Sequence, residues 1–156
     1  MHVIIATDGS KQSLAAAKYA TAVLDATKVT HVTVLAVVRP LAAVAFANDL
    51  GPGFQGRPTS PEWSFHAEAE AATEAVAAVF EKWGPKVHRR TRSGSPATEI
   101  IKAATALGAG LIVVASGSRG ISETVLLGST AQRVQQYAPC PVLVVRTAKK
   151  PRRTKT

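Results

Sequence analysis

The spacing of apolar residues changes period repeatedly along the chain. HVIIAT, residues 2–7, is a short continuous apolar run ending in polar residues, the pattern of a strand covered on both faces. KQSLAAAKYATAVLDA follows and places Leu14, Ala17, Ala20, Val23 and Leu24 near one side of a helix. THVTVLAVV, residues 30–38, is rich in β-branched residues and predicts a second strand. A helix from about Glu62 to Lys82 comes next, stopped by the Gly-Pro pair of WGP. KVHRRTR predicts a third strand, SPATEIIKAATAL a third helix and AGLIVVAS a fourth strand. STAQRVQQYA predicts the last helix and PVLVVR the last strand.

Strands alternating with helices of this length imply an α/β domain: an open parallel sheet of five strands with four helices on its two faces. No linker divides the chain, and no internal repeat has solenoid spacing. Residues 39–63, RPLAAVAFANDLGPGFQGRPTSPEW, form a long connection rich in Gly and Pro. A connection of that length in a compact domain is usually functional, as a lid or partner surface, or a surface insert.

Composition bounds the class. With 156 residues, 46% of them hydrophobic and 19% charged, the sequence is globular and large enough for one ordinary core. No apolar run is long enough to cross a bilayer, and the amino terminus lacks the pattern of a secretory signal. The single cysteine, Cys140, excludes an internal disulfide framework and a cysteine-based zinc site, which suits a reducing cytoplasm. Of the net charge of +9, five units come from the tail KKPRRTKT, leaving +4 for the remainder. Such a tail can attract nucleic acid, but it lacks aromatic residues and reads first as a frayed, solubilising terminus. Lys86 to Arg92, KVHRRTR, can bind anions or guard an edge strand.

Open parallel sheets bind ligands at the carboxyl ends of their strands. Two strand ends here carry suitable residues. In ATDGS, residues 6–10, Asp8 follows an apolar strand directly and can accept hydrogen bonds from a ligand's hydroxyl or amino groups. Its structural alternative is to order the turn, with Ser10 capping the next helix. In ASGSRGISETVLLGSTAQRV, residues 115–134, Gly117 and Gly120 let a ligand lie against the backbone, and Gly128-Ser129 opens the last helix. Free N–H groups and the dipole there favour an anion such as phosphate, and Ser129 can add a donor or serve as an N-cap. The spacing is neither a Walker A loop nor the G-x-G-x-x-G fingerprint. His2, His31, His66 and His88 are scattered, without paired metal-ligand spacing, and Glu68, Glu70 and Glu74 read as a solvated helix face. No G-x-S-x-G elbow is present, and nothing activates Cys140.

Residues 1–146 resemble the universal stress protein family, most densely in IIATDGSKQSLAAAKYA, GSPATEIIKAA, LIVVASGSRG and LLGSTAQRVQQYAPCPVLVVR. Residues 147–156 then remain as a basic tail. The resemblance implies a Rossmann-like fold of the adenine nucleotide alpha hydrolase type, with strand order 3-2-1-4-5. It also implies a homodimer joined through the last strand, Pro141 to Arg146. Some members bind ATP through a pattern written G-x2-G-x9-G-[ST]. Carried over by residue, Gly117 and Gly120 match its first glycines and Gly128-Ser129 its closing pair, with Ser116 and Thr130 flanking them. Ala6, Thr7 and Asp8 match residues near the nucleoside, and Val37 matches the position that packs on adenine. Between Gly120 and Gly128 stand seven residues, ISETVLL, where the pattern has nine. Two fewer residues would shorten an extended loop by roughly 7 Å, or rotate a helical one by about 200°.

The expected function is an adenine-nucleotide-binding regulatory module of the stress response, holding ATP with Mg²⁺ on its phosphates. The alternative is a nucleotide-free dimeric interaction protein whose shortened loop no longer binds ATP, acting on regulatory protein partners. No general base stands beside the expected phosphates: Asp8 is nearer the nucleoside and Glu123 lies in the shortened loop. No catalytic residue is therefore assigned, and slow ATP hydrolysis is the most that is expected.

Overall fold

The computed structural model of the chain describes residues 1–40, 61–117 and 127–147. Five strands alternate with four α-helices: β1 (His2–Thr7), α1 (Lys11–Val23), β2 (His31–Val38), α2 (Pro61–Phe80), β3 (Lys86–Ser93), α3 (Pro96–Leu107), β4 (Leu111–Ala115), α4 (Ser129–Tyr137) and β5 (Val142–Val145). All strands run parallel in the order β3-β2-β1-β4-β5. The expected α/β architecture and strand order are both present. Most of the 39–63 connection and the tail from residue 148 lie outside the described residues.

Alternation of side chains along each strand divides the core in two. Val3, Ile5, Val32, Val34 and Val113 pack beneath Ala16, Ala17 and Ala20 of α1 and Val76, Ala77 and Phe80 of α2. Ile4, Leu35, Ile112 and Val114 face Ala97, Ile100, Ala103 and Ala104 of α3 and Ala131 and Val134 of α4. Alanine on the inner helix faces lets backbone approach the sheet closely, so the β-branched strand residues fill the remaining space. Among the described residues, no helix is long and apolar enough to cross a membrane.

Two local details differ from the periodicity. The buried stripe of α1 is Ser13, Ala16, Ala17 and Ala20, whereas Val23 is 49% exposed. The helix stops there, and Leu24, as C-cap, turns inward in its place. A 3-10 turn, Ala26–Lys28, then leads to β2. Asp25 caps it, accepting from the Thr27 hydroxyl at 2.7 Å and the Thr27 N–H at 3.0 Å. Those bonds, the side-chain one first, hold the Asp25 carboxyl below its ordinary pKa.

The ladder also gathers three histidines that look scattered in sequence. His2 pairs with His31, and Thr33 with His88, on the sheet face that carries α3. The His2 and His31 rings are 5.5 Å apart, and His31 stacks on His88 at 5.6 Å. His2 Nε2 and the buried Thr33 hydroxyl are hydrogen-bonded at 2.7 Å. Burial lowers the His2 pKa, and His31, His88, Arg90 and the terminal amine lower it further.

Two outcomes follow for stability. Phe80 is fully buried between sheet and helix, so Phe80→Ala is expected to cost about 3–5 kcal/mol in urea denaturation. The folded state takes up the His2 proton at lower pH than the unfolded chain does. The contribution of His2 is therefore complete above its unfolded pKa and declines as pH falls below it. Melts from about pH 8 to about pH 5 should show a falling Tm, with a shallower fall for His2→Gln. Identical slopes would remove His2 as a cause.

Candidate functional site

The chain leaves β1 for β2 and β3 on one side, then returns to β4 and β5 on the other. The topology therefore switches between the carboxyl ends of β1 and β4, where open sheets leave a crevice.

At the end of β1 the turn is tightly bonded. Asp8 Oδ1 accepts the Ser10 N–H at 3.0 Å, and Gly9 takes a φ of +77°. Ser10 is the N-cap of α1, its side chain accepting the Ser13 N–H at 3.1 Å. The Ser13 hydroxyl donates to the Ser10 carbonyl at 2.9 Å, so the Thr7 hydroxyl donates to Ser13 Oγ, also at 2.9 Å. Thr7 Oγ1 accepts the Gly9 N–H at 3.1 Å. The Thr7 side chain is thus buried toward α1. Ala6 and Val37 pack on the opposite face, at the margin of the core under α3 and α4. Asp8 itself is exposed at the rim.

At the end of β4 the backbone closes on the start of α4. Ser116 donates its N–H to the Val145 carbonyl at 2.9 Å, and its own carbonyl accepts the Gly128 N–H at 2.6 Å. A Cβ on Gly128 would stand 3.0 Å from the Ser116 oxygen and 3.3 Å from the Gly117 Cα. Gly128 is therefore glycine because two stretches of backbone touch there. Among the described residues, a Cβ on Gly117 would meet only Gly128, at an ordinary 3.8 Å. The cap of α4 is Gly128 and not Ser129, which is the first helical residue, exposed beside half-buried Thr130. A glycine cap offers no side-chain acceptor, so the first-turn N–H groups have no side-chain cap.

Ala6, Thr7, Asp8, Val37, Ser116, Gly117, Gly128, Ser129 and Thr130 thus all lie along the carboxyl edge of three neighbouring strands, with Thr7 turned to the other face. Gly120, Arg119, Glu123 and the seven-residue spacer lie outside the described residues. Sequence reasoning missed Ser13, whose buried hydroxyl carries the Thr7 bond, because a serine among alanines has no periodic signature. It also missed Glu99, which reaches Arg92 at 3.6 Å and Lys102 at 3.4 Å below the end of β3. Its position in the first turn of α3 is the available signal. Two open grooves among the described residues lie elsewhere. One of about 280 Å³ lies between α3 and α4, and one of about 400 Å³ lies beside Trp83 and Lys86.

The model of the universal stress protein family matches residues 1–146. The chain belongs to this family. A universal stress protein of Methanocaldococcus jannaschii is 36% identical over 153 residues, covering 95% of this chain and 83% of that protein. Two solved family members share the fold. A universal stress protein in complex with cAMP has a TM-score of 0.62 at 22% identity, covering 95% of this chain and 98% of that one. An Arabidopsis thaliana member with AMP bound has a TM-score of 0.67 at 15% identity, covering 95% and 92%.

The two glycines should separate on substitution. Gly128→Ala forces backbone apart and is expected to cost about 1–3 kcal/mol in thermal or urea denaturation. Gly117→Ala is expected to stay within about 0.5 kcal/mol of the parent. Equal costs would show that the contact does not fix Gly128.

Proposed function

We propose that this universal stress protein is an adenine-nucleotide-binding regulatory module, with ATP as its ligand. One observation carries the reading. At the switch point, a helix start without a side-chain cap is held by backbone against the end of β4, beside the strand that ends in Asp8. Such a helix start favours an anion through its N–H groups and dipole. The family members solved with AMP and cAMP support the choice of ligand.

The residues fit a nucleotide in kind. Half-buried Val37 and Ala6 offer an apolar wall for adenine, and the exposed Asp8 carboxylate can accept from ribose hydroxyls. Gly117 leaves room for phosphates, and Gly128 lets the start of α4 close on the end of β4 beside them, with Ser129 and Thr130 as hydroxyl donors and Ser116 adjacent. No group of three or more His, Cys, Asp or Glu among the described residues could hold a metal ion. Mg²⁺ would therefore arrive on phosphate oxygens, with few protein ligands. ATP supplies charge and a hydrolysable bond, while this chain's residues bind and orient it. Occupancy would then change shape or partners.

Dimer formation through β5 belongs to the same proposal. β5 pairs with β4 on one edge, and Val142, Leu143 and Val144 remain partly exposed, a strand that gains by cover. A cytoplasmic setting suits the thiol of Cys140, whose pKa partial burial raises.

Denatured protein is expected to release adenine nucleotide detectable by mass. Emptied and refolded protein should then bind Mg-ATP by calorimetry. Asp8→Ala and Gly117→Val should each weaken binding at least tenfold, about 1.4 kcal/mol, in proteins that melt as the parent does. No released nucleotide and no heat up to millimolar Mg-ATP from folded protein would overturn the reading. A nucleotide-free dimeric interaction protein would then be the better account.

A further inference from the structure

The other end of the sheet, where the strands begin, carries a second and independent arrangement. On the face bearing α3, the outermost strand presents Lys86, His88 and Arg90 at every second residue. All three are exposed. The rings of His31 and His2 continue the row across β2 and β1. Among the described residues, Lys86 and Arg90 form no ion pair. Arg89 reaches Glu74 from the opposite face, and Arg92 is taken by Glu99. The row is therefore a cationic and aromatic surface with no carboxylate of its own.

A concave feature adjoins it. The groove of about 400 Å³ is lined by Thr27, Thr30, Trp83, Pro85 and Lys86, among others. Trp83 meets Phe80 edge-on at 5.6 Å and is only partly buried. The Thr30 hydroxyl and His31 Nδ1, 3.1 Å apart, join the groove to the imidazole row. Guarding an edge strand needs charges on β3 alone. It does not account for aligned rings on β1 and β2, nor for a groove with an indole in its wall.

We propose that this end of the sheet binds single-stranded nucleic acid, its phosphates on Lys86 and Arg90 and its bases against the imidazole row, with Trp83 adjoining from the side of α1 and α2. Lys86 and Arg90, four residues apart on a strand, stand about 13 Å from each other, a span that an extended polyanion can bridge. Flat aromatic groups beside them distinguish a nucleic acid from an acidic peptide, because every base has a π-face to stack. The site is separate from the nucleotide crevice and includes no residue of the basic tail. The charged groups acting on His2 are Arg90 and the terminal amine, and Lys86 stands two residues from His88 on the same face of β3, while Glu99 is held by Arg92 and Lys102 toward the carboxyl end of that strand.

Fluorescence anisotropy of a short labelled oligothymidylate with the full chain tests this. Binding should be salt-dependent, as contacts to phosphates require. Lys86→Thr with Arg90→Thr should weaken it at least tenfold and flatten the log-log salt slope by about 1.4. Arg90→Gln alone should give about half that change in slope, as a milder variant should the pair not fold. His31→Asn with His88→Asn should weaken binding through loss of stacking while leaving the salt slope unchanged. Serine at Lys149, Lys150, Arg152, Arg153 and Lys155 should leave the dependence on Lys86 and Arg90 intact. Binding that follows the tail substitutions and ignores Lys86 and Arg90 would overturn the proposal. So would equal affinity for an acidic peptide, or binding only to phosphatidylserine vesicles.

Discussion

A strand with neighbours on both edges and helices on both faces has no place for a polar side chain except at its ends. β1 is that strand: Val3, Ile4 and Ile5 are wholly buried, with β2 on one edge and β4 on the other. Any polar group inside it would lose water without a full set of partners. The chemistry of the chain is therefore displaced to the two ends of the sheet. Asp8 appears immediately past one end and His2 at the other. The crossovers, all parallel, keep like ends together, so residues far apart in sequence share an edge.

That constraint explains why much of the architecture was legible. A continuous apolar run announces a strand covered on both faces, and the polar residue that follows it marks the rim. Asp8 and the pause at Gly128 stood out for this reason. The partition of roles did not. Gly117 and Gly128 look alike in sequence, yet only Gly128 has carbonyl and Cα atoms where its Cβ would be. Ser13 and Glu99 act through contacts across elements, which local spacing cannot encode. The histidine row was invisible for the same reason, since it depends on the register between strands separated by a helix or more.

The two ends also differ in how they meet polar ligands. At the carboxyl end, donors are backbone groups aimed by the start of α4, with little side-chain charge among the described residues. At the amino end, the backbone is occupied by the ladder and side chains supply the charge. The first arrangement is rigid and tolerates few changes of backbone. The second is carried by exposed residues on an edge strand, and substitutions there leave the core untouched.

The bond from Gly128 to Ser116 brings together two points separated by eleven residues of chain. Because both ends of that stretch are pinned at one place, a change in its length alters chiefly its closure entropy. Removing two residues from a loop of this size changes that term by only about 0.1–0.2 kcal/mol. On closure entropy alone, seven residues in place of nine between Gly120 and Gly128 therefore come at almost no thermodynamic cost. A spacing pattern counted along the sequence is thus a weaker guide to this segment than the backbone contact that fixes Gly128.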